Sequence, residues 1–331
     1  MRDLARARFV CAADEVWRLQ RGSEADCVFF QRAVNGGQRI TDPGTRQGTW
    51  ILAPDGTLLG RTSSRKPAEV RAVLEAALAR WDELPAAARR LPEGVELDPA
   101  HRWEDSYPEG GLVLVRTVRD LSAEGLAAPP PGAWNRDFAW FSRAEVEALT
   151  RGLVPGESRA LPLLAERLAR FHLVDNARGQ TLPYAPEELR RARLTATVSA
   201  RVGEQLVLRL EGETEALCAG PWRLGDNLWT PAGEHPRGLE ARLLGRAVLD
   251  ASTGRFTAFE LVAVARRFGH TQNNGRWREP APSRLAFHLT LAPPEPRVAP
   301  TFVALYDADW IVAPAVGTWN RSPEECGLEK D

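Results

Sequence analysis

Lysine is almost missing from this chain: Lys66 and Lys330 are the only two, and guanidinium groups carry nearly all of the positive charge. A bias toward GC-rich codons accounts for that choice, since alanine and proline are abundant as well. It still has a physical consequence, because arginine pairs bidentately with carboxylates where lysine offers a point charge. A surplus of either sign is lacking too. The formal net charge of −1 excludes a globally basic nucleic-acid binder, local patches aside, and no nucleic-acid partner is expected. The four cysteines, Cys11, Cys27, Cys218 and Cys326, lie far apart, with no CxxC, no CxxH and no zinc-type spacing. No long apolar run and no targeting segment is present near the start, so the expected location is cytoplasmic, with no membrane partner. A phosphate loop and a nucleophile elbow are absent as well. No cofactor and no metal are expected.

What is present suffices for two domains. At 331 residues, 44% hydrophobic and 26% charged, the chain has the composition of a globular protein with room for two cores. The first is organised around residues 47–81. Thr49 to Ala53 is a β-branched and aromatic run, Pro54-Asp55-Gly56 is turn chemistry, and Thr57 to Arg61 resumes as a strand, which predicts a hairpin. Ser63 or Ser64 can then cap a helix whose apolar positions Val70, Val73, Leu74, Ala77, Leu78 and Trp81 recur at three- and four-residue spacing. Upstream, residues 8–13 read as a buried strand and 14–21 as a short helical or loop segment. Residues 25–34 read as a helix capped by Ser23 or Asp26, with Val28, Phe29 and Ala33 toward the sheet.

Strand, Pro-Asp-Gly turn, strand and amphipathic helix together resemble the C-terminal half of a thioredoxin-like domain, over about residues 8–82. The resemblance implies one sheet holding both residues 9–13 and residues 49–53, with a slot between them for a further strand. It implies no disulfide exchange, because exchange needs an attacking and a resolving thiol and the family's CxxC is missing. Gly48 also stands where the family places its cis-proline. The domain therefore reads as incomplete, and its exposed sheet edge offers a route to a homo-oligomer. Cys11 and Cys27 remain as candidate thiols. Cys11 sits in an apolar stretch and also reads as a small core residue. Cys27 sits near a helix start, where the dipole and Asp26 act in opposite directions.

Residues 84–100 read as a linker, and residues 101–331 as a mainly antiparallel β-sandwich or barrel with flanking helices, the whole chain being of the α+β class. Helices are expected over about 143–171, with Ser142 and Glu145 as a capping box. Strands are expected over about 194–291, separated by turn signals at Val202-Gly203, Ser252-Thr253-Gly254 and Asn273-Asn274-Gly275, the last a hairpin tip. Residues 302–312 could dock as a last strand.

Three polar groups are candidates for ligand contact. Trp134 and Arg136 belong to an aromatic cluster that reads either as a stacking surface or as a domain-interface core. His172, Asp175, Asn176 and Arg178 follow a helix, and His270, Gln272, Asn273 and Arg276 follow the longest apolar run. His172, Asp175 and His270 could meet as metal ligands or as an acid/base pair, or each stretch could be a turn whose side chains satisfy their own backbone. Glu211, Glu213 and Glu215 offer carboxylates at a strand end. His235 and His288 are isolated. These readings favour a non-catalytic binding or scaffold protein whose partner is a small molecule or another protein. A single-thiol redox protein and a hydrolase or metal-dependent enzyme are the alternatives.

Overall fold

A computed structural model describes the chain except residues 13–15, 43, 92–105, 122–132, 220–235, 272–273, 277 and 303–331, and the side chains at 17 and 18. It divides into two units, built on Met1–His101 and on Arg102–Ala315. The expected linker from residue 92 on, the expected last strand, His235 and Cys326 lie outside the described residues.

The first unit runs α1 (Arg2–Arg8), α2 (Val16–Arg21), α3 (Ala25–Val34), β1 (Thr49–Leu52), β2 (Leu58–Thr62) and α4 (Pro67–Glu83). The hairpin forms as its turn chemistry dictates. Ile51 pairs with Gly60, and Gly56 takes a φ of 90° that its lack of a Cβ permits. Helix α4 buries Leu74 and Ala77 on the hairpin, with Val70, Val73 and Trp81 partly covered around Ile51, Ala53 and Leu59. Its start is one turn later than Ser63 suggests: Lys66 is the N-cap, and Pro67, whose missing N–H costs nothing there, opens the helix.

Two expectations are corrected. The described part of residues 8–13 forms no strand: Arg2–Arg8 is helical, and residues 9–12 have no regular structure. Asp3 in the first turn and Arg6 and Arg8 in the last complement the helix dipole, and Phe9 packs on the small core while Val10 and Cys11 are exposed. The sheet of this unit has two strands among the described residues. Helix α3 has its expected bounds but buries Cys27, Phe30 and Gln31, with Phe29 41% exposed. Gln31 turns inward because Nε2 donates to the carbonyls of Leu19 and Gly22 at 3.0 and 2.9 Å. Ser23 and Asp26 are not the cap; Glu24 holds that position without a side-chain bond.

The second unit is one eight-stranded antiparallel sheet, not two stacked ones. It comprises β3 (Leu112–Leu121), β4 (Trp134–Phe141), β5 (Ser158–Ala160), β6 (Leu189–Val202), β7 (Gln205–Cys218), β8 (Arg237–Asp250), β9 (Arg255–Phe268) and β10 (Ser283–Leu291), in the order β4-β3-β10-β9-β8-β7-β6-β5. Between β4 and β5 lies α5 (Arg143–Thr150), and between β5 and β6 lies α6 (Pro162–Arg167), which continues as a π turn over Leu168–His172. That turn touches β4 near one end of the sheet and β6 and β7 near the other, so the sheet curves around it. Ser142 and Glu145 do form the capping box, and Arg167 braces it by donating to Glu145 at 2.6 Å and to the Trp140 carbonyl at 2.7 Å.

Alternation assigns the two faces. Leu114, Val118, Leu285, Phe287, Leu289, Leu261 and Ala263 face the core with Leu164, Leu168 and Phe171 from the helical side. Strands β6 to β9 run 14 residues each, longer than their apolar runs suggest, because many outward positions carry charged or polar residues that break the apolar run without ending the strand. Glu211, Glu213 and Glu215 are thus in the middle of β7 and not at a strand end.

Gly245 lies where β8 and β9 approach closely. A Cβ there would stand 2.4 Å from the Glu260 carbonyl oxygen and 2.9 Å from the Leu261 Cα. Backbone cannot swing aside as a side-chain tip can. Gly245→Ala is expected to cost about 1–3 kcal/mol in urea unfolding, whereas Gly203→Ala, with nothing nearby, should cost only the strain of its positive φ.

Candidate functional site

On β3, Leu112, Leu114, Arg116, Val118 and Asp120 share the core-facing phase, so a cation and an anion stand where the alternation otherwise places apolar groups. A buried charge is tolerated only with partners that replace its hydration. The opposing strand supplies one: Asp137 of β4 is the register partner of Arg116. The others arrive from the π turn, the segment after it, and the connection between β9 and β10.

The π turn widens the last helical turn, with the Leu173 N–H donating to the Leu168 carbonyl at 2.7 Å, and ends on His172, which is fully buried. Its Nδ1 lies 2.8 Å from Asp137 Oδ2. The other oxygen of Asp137 accepts from the Thr301 N–H and hydroxyl, each at 2.9 Å. Arg116 donates from both Nη atoms to Asn176 Oδ1 at 3.0 Å and stands 3.8 Å from Asp137. Burial alone would raise the Asp137 carboxyl, but His172, Arg116 and the Thr301 N–H outweigh it and hold the group at about 2. Burial likewise takes His172 below its usual 6.5, against the pull of Asp137 and with Arg116 and Arg167 adding to the drop. We take Asp137 as the charged member and the imidazole as neutral, its Nδ1–H donating.

A second cluster adjoins the first through β3 and the 175–178 segment. Arg276, 1% exposed, is clamped between two carboxylates. Its Nε and Nη2 each donate to Asp175 at 3.0 Å, and its Nη1 donates to Asp120 at 3.1 Å, with Nη2 also on Asp120. The Asp120 and Asp175 hydrogen bonds raise its pKa despite burial. Arg178 continues the chain from Asp120 at 2.5 Å to Glu279 at 2.9 Å. Arg267 stands 3.6 Å from Asp175 and donates to Ser283 Oγ and to the carbonyls of Gly269, Glu279 and Ala281. Arg178, Asp120, Arg276, Asp175 and Arg267 therefore alternate in sign through the protein.

Asp175, Asn176, Arg178 and Arg276 belong to this network, as does His172. Asp175 is committed to Arg276 and His172 to Asp137, and among the described residues no group of three His, Cys, Asp or Glu could hold a metal. Gln272 and Asn273 lie outside the described residues. The stretch around Gly275 is not a hairpin tip: Asn274 and Arg276 are buried, because the β9–β10 connection folds back to deliver the guanidinium.

Trp134 and Arg136 are exposed on the opposite face of β4 from Asp137. Glu211 pairs with Arg209, Glu213 and Glu215 with Arg191, and His288 with Glu260, all on the outer face. Cys27 and Cys218 are buried and Cys11 is exposed. A shallow groove of about 370 Å³ lies where Glu147, Thr150 and Arg151 meet Leu206 and Leu249.

Arg116, Asp120, Arg267 and Thr301 are the participants that reading the sequence missed. Two of them leave a signal: Arg116 and Asp120 occupy the inward phase of the apolar alternation at 112–118. No protein-family model, no curated protein and no solved structure matches the chain.

Two outcomes follow for stability. The unfolded chain binds a proton at residue 172 below about 6.5 that the folded chain resists, so unfolding free energy should be level above pH 6.5 and fall as pH drops below it. The limiting slope is about 1.4 kcal/mol per pH unit. A second decline belongs to Asp137, between 3.8 and about 2. His172→Gln should flatten the first limb in urea titrations at a series of pH values. Arg276→Leu, which strands two buried carboxylates, should cost about 3–5 kcal/mol.

Proposed function

We propose that this chain is a non-catalytic binding or scaffold protein, with the charged cluster as an internal brace and the second unit as the carrier of the partner surface. The observation that supports this reading most is engagement. His172 is fully buried and directed at Asp137, and Arg276 and both of its carboxylates satisfy one another. Acid/base or hydrolytic chemistry needs such groups to reach a substrate within hydrogen-bond distance, and these face protein instead. The thioredoxin-like reading of the first unit belongs to the same proposal. Its support is the hairpin and helix α4, in a sequence without a CxxC motif. Among the described residues no helix is long and apolar enough to cross a membrane, and a cytoplasmic location is part of the proposal.

The exposed thiol of Cys11 keeps one alternative specific, a single-thiol redox protein. Peptide mapping after brief iodoacetamide treatment at pH 8 should find Cys11 labelled and Cys27 and Cys218 protected until urea is added. In the same preparation, reduction of insulin by dithiothreitol should run no faster with the protein than without it. Acceleration that disappears in Cys11→Ser would overturn the reading. So would ester or peptide hydrolysis that disappears in His172→Gln while the fold persists.

A further inference from the structure

The outer face of the large sheet carries seven exposed arginines, Arg119, Arg136, Arg193, Arg242, Arg246, Arg266 and Arg284, that have no side-chain hydrogen bond or ion pair among the described residues. The acidic groups of the same face are mostly spent. Glu211 is held by Arg209 at 3.0 Å, Glu213 and Glu215 by Arg191 at 3.3 and 3.5 Å, and Glu260 by His288 at 3.0 Å. Among the described residues Glu240 has no such ion pair, and it stands in register with Arg266. Glutamates are interleaved with the arginines in register, Glu213 beside Arg193 and Arg242, Glu260 beside Arg246 and Glu240 beside Arg266, but the arginines outnumber them, so this face is net positive although the chain as a whole is near neutral.

The arrangement also costs the fold something by itself. Arg266 and Arg284 are direct register partners on β9 and β10, and Arg242 and Arg119 stand diagonally beside them on β8 and β3. Like charges directly opposite repel, and Glu240, the register partner of Arg266 on β8, offsets only part of that. With strands about 4.8 Å apart, the four guanidiniums span four neighbouring strands and reach toward the same solvent, where an anionic surface would offset the repulsion.

The centre of the face says which kind of anion. Leu244 is 61% exposed, Val262 40% and Val264 49%; Leu244 and Val262 are register partners, and Val264 follows on the same strand. An apolar patch ringed by charge marks a protein contact, and a phosphate backbone would leave these three side chains in water. At the β4 edge Trp134, 53% exposed, faces Arg119 in register, and tryptophan and arginine are the residue types that carry most interface energy.

Resting on the binding reading above, we infer that this sheet face docks a protein partner whose contact surface has apolar residues at its centre and carboxylates at its margins. Two copies of this chain packed face to face would bring net positive surfaces together, which disfavours self-association here.

The test uses the full chain and a fluorescein-labelled peptide of about sixteen residues with a leucine stripe bordered by glutamates. Its controls carry lysine for glutamate or serine for leucine, and a thymidine oligonucleotide of similar length is run alongside. Anisotropy should rise with the Glu/Leu peptide and with none of the three controls, and the affinity should fall with added salt. Leu244→Ser should weaken it about 5-fold or more, and so should Arg119→Ala with Arg284→Ala, while Arg71→Ala on α4 leaves it unchanged. Oligonucleotide binding sensitive to the same arginines would overturn the inference in favour of nucleic acid. A dimer in sedimentation that Leu244→Arg dissociates would overturn it in favour of self-association. Absence of peptide binding, or binding that the face variants leave unaltered, would overturn it outright. Turnover in the thiol or hydrolysis assays would instead sink the non-catalytic reading, whatever this face binds.

Discussion

Arg276 held between Asp120 and Asp175 is the constraint on which the rest of the second unit depends. Three buried charges cannot relax independently: losing either carboxylate or the cation strands the others where water cannot replace them. The pair of acids comes from the middle of the fold, one on β3 and one after the π turn, and the cation comes from the β9–β10 connection. Satisfying them fixes that connection against β3 and ties the helical segment to the concave side of the sheet. The Asp137–His172 pair does the same one step along, anchoring Thr301 to β4.

Much of this was open to a reading of the residues, and the division is physical. The hairpin, helices α3 and α4, the capping box at Ser142 and the cores of strands β6 to β10 follow from local chemistry, with turn residues and apolar period acting within a few positions. The strand expected at residues 8–13 failed because an apolar pair, Phe9-Val10, says nothing of a partner strand, while the preceding Arg, Leu and Ala residues favour a helix. Strand lengths were underestimated because an outward-facing arginine or glutamate does not interrupt a strand. The charged network was the least legible part. His172, Asp175, Arg178 and Arg276 stood out as polar residues between elements, but their partners lie 35 to 156 positions away, and no local pattern carries that pairing.

The sheet uses arginine in two opposite ways. Inside, Arg116, Arg267 and Arg276 replace water with carboxylates and carbonyls, and the guanidinium fork lets each serve several acceptors in fixed directions. Outside, seven guanidiniums on long exposed side chains make no side-chain hydrogen bond or ion pair among the described residues. The same residue type thus provides the internal rigidity and the external surface charge, separated only by the two-residue period of a strand.

The reach of the Arg276 clamp bears on synthesis. A nascent chain would expose Asp120 first and meet its partner Arg178 58 positions later, whereas Asp175 would have neither Arg267 nor Arg276 until β9 and the connection after it had been made. Any intermediate ending before β9 must keep Asp175 hydrated, so the interior around that carboxylate cannot be dry. Closure of the charge alternation around Asp175 therefore has to follow synthesis of β9 and the connection that carries Arg276.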